Sequence, residues 1–321
     1  MSNVWNAEYG TPKAMRNEGQ HDVGGCGEVD DCLPHNTVRF PAWLKRGLAY
    51  SGRTREVEGL ISSCQLNTVC AEAKCPNRGE CFSRGSAAFL ILGPVCTRDC
   101  AFCGVESGRP ADVDVDEGER LAEAAFRMGL RHIVVTSVTR DDLNDGGAFA
   151  FADALARLRD KIPQITTEVL IPDFQGSGSA LMTVLNAEPD ILNHNVETVP
   201  RLYPLIRPQA IYERSLELLK RAAEDGRAVV KSGIMAGLGE TVCEVESLMR
   251  DLRASGCTVI TVGQYLRPSR RQVPVKEFIT PDQFAAYEEM ALGMGFESAF
   301  CGPYVRSSYR AEELNSGRRR G

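Results

Sequence analysis

From residue 87 onward, short apolar runs alternate with stretches of helical period, and this alternation is what most limits the fold. The runs Ala87–Leu92, His132–Val138, Thr167–Ile171, Ile191–Val196, Ala228–Met235 and Thr258–Tyr265 read as buried strands. Helices are expected over Asp116–Met128, Ala148–Lys161 and about 178–187, 212–224, 241–255 and 281–294. Leu121, Ala124, Ala125 and Met128 recur at helical spacing, and Gly129 closes that helix. Strands separated by helices of about 10–15 residues make βαβ units and a parallel sheet. Six strands fall short of the eight of a closed barrel. The α/β architecture expected is therefore an open, partial (β/α)6 TIM-like barrel or a doubly wound sheet, with extensions at both ends. Its sites belong at the carboxyl ends of the strands.

Six of the twelve cysteines fall within 34 residues, which packing does not require. Cys70, Cys75 and Cys81 are spaced Cys-x4-Cys-x5-Cys; Cys96, Cys100 and Cys103 are spaced Cys-x3-Cys-x2-Cys, just after the first strand. Each triplet offers three thiolates where a closed sulfur site takes four, so each leaves a position for another ligand. The start of the chain lacks the basic-then-apolar order of a secretion signal, so a reducing, cytoplasmic setting is expected and a disulfide framework is not. Histidine is scarce, with four in the chain and none among the triplets. That leaves an all-sulfur site suited to iron–sulfur or to zinc. A zinc knuckle would need a fourth Cys or His close after Cys103, and none follows.

No apolar stretch approaches the roughly 20 residues that span a bilayer. A net charge of −6 gives no general attraction to nucleic acid. Neither membrane nor nucleic acid is an expected partner. Residues 1–40, rich in Gly, Asn, Asp and Glu, read as a flexible lead-in. Residues 41–86 form an N-terminal extension holding the first triplet, 87–300 the barrel, and 301–321 a C-terminal extension ending in the basic run Arg318–Arg320. The segment Phe40–Lys45, with Trp43, reads as a docking element. Cys64, Cys243, Cys257 and Cys301 are isolated and read as packing. Cys26 and Cys32 are either inert or an adventitious pair.

A Cys-x3-Cys-x2-Cys loop with an aromatic, Phe102, before its last cysteine resembles the radical S-adenosylmethionine superfamily. The resemblance implies a [4Fe–4S] cluster on Cys96, Cys100 and Cys103, whose open iron takes S-adenosylmethionine. One-electron cleavage of the sulfonium then yields a 5′-deoxyadenosyl radical that removes hydrogen from an unactivated carbon. Further runs are similar to the lipoyl synthase family: Leu66–Cys70, Cys75–Asn77, Gly79–Cys81, Val95–Arg98, Val135–Val138, Arg140–Leu143, Asp145–Gly147, Val169–Phe174, Asn193–Thr198, Lys231–Gly233, Gly237–Glu240, Gly263–Ser269 and Arg306–Tyr309. They run in order from about residue 40 to 315. Asn144, where that family carries proline, and Arg310, where histidine is common, depart from the pattern.

The resemblance implies a second, auxiliary [4Fe–4S] cluster on Cys70, Cys75, Cys81 and Ser308. It would donate two sulfurs to the sixth and eighth carbons of an octanoyl group on a carrier lysine. Implied partners are octanoylated lipoyl carrier domains of the 2-oxoacid dehydrogenase or glycine cleavage H protein type, an electron donor, and iron–sulfur delivery proteins. Phe102, Thr136, Ser137, Asn195, Glu197, Lys231 and Arg207 are the residues expected at S-adenosylmethionine. Residues 193, 195 and 197 share one face of a strand that points into the barrel. A buried Asn or Glu needs polar partners, which a cofactor or a structural network can supply. His194 faces the other way and reads as packing. A different radical enzyme would share the second triplet but not the Arg306–Tyr309 ending. A zinc protein or electron carrier would need four-ligand closed sites.

Overall fold

The computed structural model describes residues 40–45, 51–309 and 311. The lead-in, Cys26, Cys32 and the Arg318–Arg320 tail lie outside the described residues. Ten strands follow in chain order: β1 (Asn67–Thr68), β2 (Ala88–Ile91), β3 (Val95–Cys96), β4 (Glu106–Ser107), β5 (His132–Ser137), β6 (Thr166–Leu170), β7 (Ile191–Asn193), β8 (Val229–Ala236), β9 (Val259–Gln264) and β10 (Ser298–Gly302). Eight of them form one sheet in the order β1-β2-β5-β6-β7-β8-β9-β10, with β1 and β10 as its edges. From β2 to β10 every pairing is parallel, while β1 runs antiparallel to β2.

The six expected strands are all present, and the sequence reading stops one short. A seventh parallel strand, β10, pairs with β9 from Ser298↔Val259 to Gly302↔Gly263. Its segment, Ser-Ala-Phe-Cys-Gly, is half-buried and lacks the apolar run that marks the others. The strand at Ile191 also ends early, at Asn193, so Asn195 and Glu197 lie just beyond it. Glu197 takes a left-handed φ of 66° and rejoins the sheet through a bridge to Ile234.

Helices Glu117–Met128, Ala148–Lys161, Gly178–Asn186, Tyr212–Asp225, Val242–Ala254 and Pro281–Gly293 join successive strands. Their ends follow local chemistry. Thr241 and Glu244 form a reciprocal capping box, Pro281 sits where a helix needs no N–H, and Gly129 ends its helix in a left-handed turn. Beneath these helices the apolar strand residues are covered on both faces, as in β2 (Ala88–Ile91), where all four are buried.

Before the barrel, helix Gly52–Ser63 has no apolar stripe, and of its residues Thr54 and Val57 alone are buried, so periodicity could not reveal it. The segment Phe40–Lys45 docks on its own chain. Phe40 meets Phe278 edge-on at 5.4 Å, and the Tyr304 hydroxyl donates to Leu44 O at 2.6 Å. Among the described residues no helix is long and apolar enough to cross a membrane.

Candidate active site

Strand β3 delivers Cys96, and the chain loops through Cys100 and Cys103 before pairing back as β4. Segments following four strands grip this loop. After β5, Thr139 O accepts from Thr97 N at 3.0 Å and from Thr97 Oγ1 at 2.9 Å. After β7, Ile206 O accepts from Ala101 N at 3.0 Å. After β9, Val273 N donates to Ala101 O and Gln272 Nε2 to Cys103 O, each at 2.9 Å. The fourth grip, from after β6, is ionic. Buried Arg98 reaches Asp141 with Nε at 2.6 Å and Nη2 at 2.9 Å, and its Nη2 also meets Asp173 Oδ1 at 2.6 Å. Burial opposes the charge of Asp173, but Arg98 prevails and holds its carboxyl at about 2. Arg98, Asp141 and Asp173 stand in the motifs of the resemblance with no role attached to them. Their signal was that opposite charges recur at the ends of consecutive strands.

The first triplet lies against this loop. A Cβ added at Gly104, next to Cys103, would stand 3.1 Å from Ala73 O, between Cys70 and Cys75. Short helices Val69–Glu72 and Arg78–Ser83 carry Cys70 and Cys81, with a turn at Pro76–Asn77 between them. The C-terminal segment is fastened over that triplet at two points. Asn77 Nδ2 donates to Tyr304 O at 2.6 Å, and the Tyr309 hydroxyl donates to Glu80 Oε1 at 2.9 Å. Ser308 sits between these fastenings, half-buried like Cys75 and Cys81.

All ten described cysteines are free thiols, so no disulfide joins the triplets. Among the described residues, no three Cys, His, Asp or Glu side chains close around a point that one ion could occupy. Burial pushes the Cys103 thiol up to about 12 and Cys70 to about 11, with neighbouring cysteines adding to both. Burial also raises Cys100, against the pull of Arg207. Loading metal on these thiols would therefore release protons. The donor set fits an iron–sulfur group. Cys96 Sγ already accepts from Arg98 N at 3.4 Å and Thr139 N at 3.3 Å, the amide-to-sulfur bonds that settle a thiolate.

The expected cofactor residues divide into two sets. Thr136 donates its hydroxyl to Leu170 O at 2.9 Å, and Lys231 pairs with buried Glu168 at 2.9 Å and with Ser307 O at 2.5 Å. Both are occupied by the protein itself. For Glu168, burial disfavours charge, yet Lys231 and His132 hold its carboxyl below the usual range. Ser137 Oγ and Arg207 Nε, by contrast, are buried without a hydrogen-bond partner, which buried polar atoms seldom are. Arg207 otherwise clamps Asn195 O and Val196 O at 3.0 and 3.1 Å and lies 5.4 Å over the Tyr203 ring. Asn195 Nδ2 donates to Glu197 Oε1 at 3.2 Å. Burial raises the Glu197 carboxyl, with Arg207, Asn195 and Arg306 pulling the other way. Phe102 is half-buried against the core. His194 lies under the helices as expected, bonded to Ile171 O and Ser215 Oγ at 2.9 Å each.

A family model described as the Radical SAM superfamily matches residues 90–252. The chain is 54% identical over 277 residues to a lipoyl synthase of Caldanaerobacter subterraneus subsp. tengcongensis, covering 86% of this chain and 97% of that protein. It is 50% identical over 282 residues to a lipoyl synthase of Rubrobacter xylanophilus, covering 88% of each. The chain belongs to the lipoyl synthase family. Lipoyl synthases are radical S-adenosylmethionine sulfurtransferases that work with [4Fe–4S] clusters, and this chain is one of that class. Solved structures share the fold at low identity. SuiB of Streptococcus suis bound to S-adenosylmethionine gives a TM-score of 0.54 at 12% identity, covering 74% of this chain and 58% of that one. HydG, a maturase of the [FeFe]-hydrogenase, gives 0.52 at 16%, covering 76% and 62%.

Proposed function

We propose that the protein inserts two sulfur atoms at the sixth and eighth carbons of an octanoyl group amide-linked to a lysine of a carrier domain. One observation carries this beyond the superfamily. The Tyr304–Tyr309 segment is fastened at Asn77 and Glu80, within the stretch that carries Cys70, Cys75 and Cys81, which lies beside the second triplet. An enzyme that needs only one cluster has no use for that construction.

In this reading Cys96, Cys100 and Cys103 hold one [4Fe–4S] cluster; Cys70, Cys75, Cys81 and Ser308 hold the auxiliary one. When bound, S-adenosylmethionine and the first cluster supply the radical that removes hydrogen, and the auxiliary cluster supplies sulfur. Ser308 is the serine we assign as ligand, because the Ser307 hydroxyl is already spent on Asn195 at 2.9 Å. Serine oxygen is a poorer match for iron than thiolate, so this attachment releases most readily. Ser137 Oγ and Arg207 Nε would complete their hydrogen bonds on S-adenosylmethionine, with Asn195 and Glu197 alongside and Phe102 shielding the loop from water. Thr136 and Lys231 support the barrel wall beneath. The four-part division at residues 40, 86 and 300 would follow these roles, with β10 carrying the barrel two residues past the last boundary. The carriers would be the 2-oxoacid dehydrogenase or glycine cleavage H protein type, met in the cytoplasm with an electron donor and iron–sulfur delivery proteins.

The test is anaerobic incubation of the reconstituted protein with reductant, S-adenosylmethionine and an octanoyl-lysine peptide. A dithiolane product is expected, with two deoxyadenosines released for each. Deoxyadenosine without sulfur insertion would overturn the substrate assignment and leave the enzyme class standing.

A further inference from the structure

Three side chains from distant parts of the chain converge over Gly233 of β8. A Cβ placed on Gly233 would stand 2.7 Å from Asn195 Oδ1, 2.7 Å from Thr261 Oγ1 and 2.8 Å from Ser307 Oγ. Glycine is required there because the C-terminal segment, the turn after β7 and β9 all occupy the space of a side chain. Within this knot the hydrogen bonds have a fixed sense. Asn195 turns its amide N–H toward the Glu197 carboxyl at 3.2 Å, which leaves Oδ1 facing Ser307. An amide oxygen only accepts, so the Ser307 hydroxyl must donate, at 2.9 Å. From below, Lys231, held by buried Glu168, donates to the carbonyl of the same Ser307. Ser307 is thus fixed at both its hydroxyl and its carbonyl, one residue before Ser308.

We propose that Ser307 is a positioning residue that couples S-adenosylmethionine at Asn195 and Glu197 to the hold of Ser308 on the auxiliary cluster. The inference rests on the ligand and cofactor assignments above. A cofactor bound to Asn195 and Glu197 fixes the amide that Ser307 grips, and a fixed Ser307 holds Ser308 over Cys75 and Cys81. Departure of the cofactor removes one hold on Asn195 and Glu197, and the serine attachment loosens. Binding couplings are reciprocal, so an intact serine attachment also favours cofactor binding by the same factor. The latch thereby times loosening of the sulfur source to the emptying of the neighbouring site. Ser307 touches neither cluster nor cofactor in this scheme; it acts through Asn195 and through Ser308.

The test uses the full chain with both clusters loaded, and reads iron release to a colorimetric chelator with and without S-adenosylmethionine. In the parent protein, S-adenosylmethionine should slow release of the auxiliary irons. In Ser307→Ala the slowing should vanish and S-adenosylmethionine should bind about fivefold more weakly, the worth of one hydrogen bond. In an Asn195→Ala background, Ser307→Ala should add nothing further to either readout. Ser307→Thr, which keeps the hydroxyl, should restore the protection. If Ser307→Ala does not load, Gly233→Ala spreads the same three oxygens from the opposite side and should abolish the protection likewise. Equal protection in the parent and in either variant would overturn the latch. A parent that loads only one cluster, or binds no S-adenosylmethionine, would instead overturn the assignments beneath it, and the latch with them.

Discussion

The loop Cys96–Cys103 is gripped by segments that follow four strands of one sheet, whereas the first triplet is covered by a strap from the far end of the chain. The loop's holders include a buried guanidinium shared between two carboxylates, Arg98 with Asp141 and Asp173. The strap meets the first triplet's segment through Asn77 to Tyr304 and Tyr309 to Glu80, bonds spanning 227 and 229 residues of sequence, and meets the barrel through Ser307 at Lys231 and Asn195. A cluster that must survive every cycle belongs on the first kind of support. A cluster that surrenders sulfur and is rebuilt suits the second, where the proposed fourth ligand, Ser308, arrives on a segment from the far end of the chain. The comparison teaches that how a site is fastened carries as much information as which atoms line it.

The largest effects should separate the two sites outright. Cys100→Ala should drop deoxyadenosine formation to background, as read by chromatography of the quenched reaction, while the first triplet keeps its iron. Cys75→Ala should do the reverse, preserving cofactor cleavage, abolishing sulfur insertion and lowering the iron count by about half. If either variant lost both activities with its fold intact by circular dichroism, the two supports would not be independent.

Next in size is Arg98→Ala. It strips the main partner from buried Asp173 and should cost about 3–5 kcal/mol in denaturant unfolding. Breaking the strap's Tyr309→Phe bond should cost only about 1 kcal/mol by the same measurement. Equal costs would erase the distinction drawn here.

Acid gives the finest contrast. His194, at the centre of the barrel's support, is buried, and that burial lowers its pKa to about 4 from 6.5. Folded, it is neutral, so its contribution is complete above about pH 6.5 and is lost as pH falls through 6.5 toward 4, to the extent of about 3 kcal/mol. His194→Gln should flatten the pH dependence of thermal unfolding across that window. An unchanged slope would place the acid sensitivity elsewhere.

Much of the loop is legible in the sequence because its three cysteines are neighbours and the strand before it is an apolar run. The strap was legible only as a resemblance, since nothing local in Arg306–Tyr309 says that it lies on residues 70–81. β10 escaped because a half-buried edge strand has no continuous apolar signature. Lys231 is expected at the cofactor from the resemblance. Its actual partners, Glu168 and Ser307, lie 63 and 76 residues away, and no periodicity connects them. Arg207 and Ser137 are expected at the cofactor from the resemblance, and only burial shows that each keeps an unspent atom.

The most direct test of the whole account is to count iron and acid-labile sulfide per chain before and after one turnover on octanoyl-lysine peptide. Two cubes predict about eight of each beforehand; with two sulfides passed to product and the remaining iron and sulfide of the auxiliary cube lost from the desalted protein, about four of each stay bound, on Cys96, Cys100 and Cys103. A count that starts near eight and does not fall while dithiolane forms would contradict it.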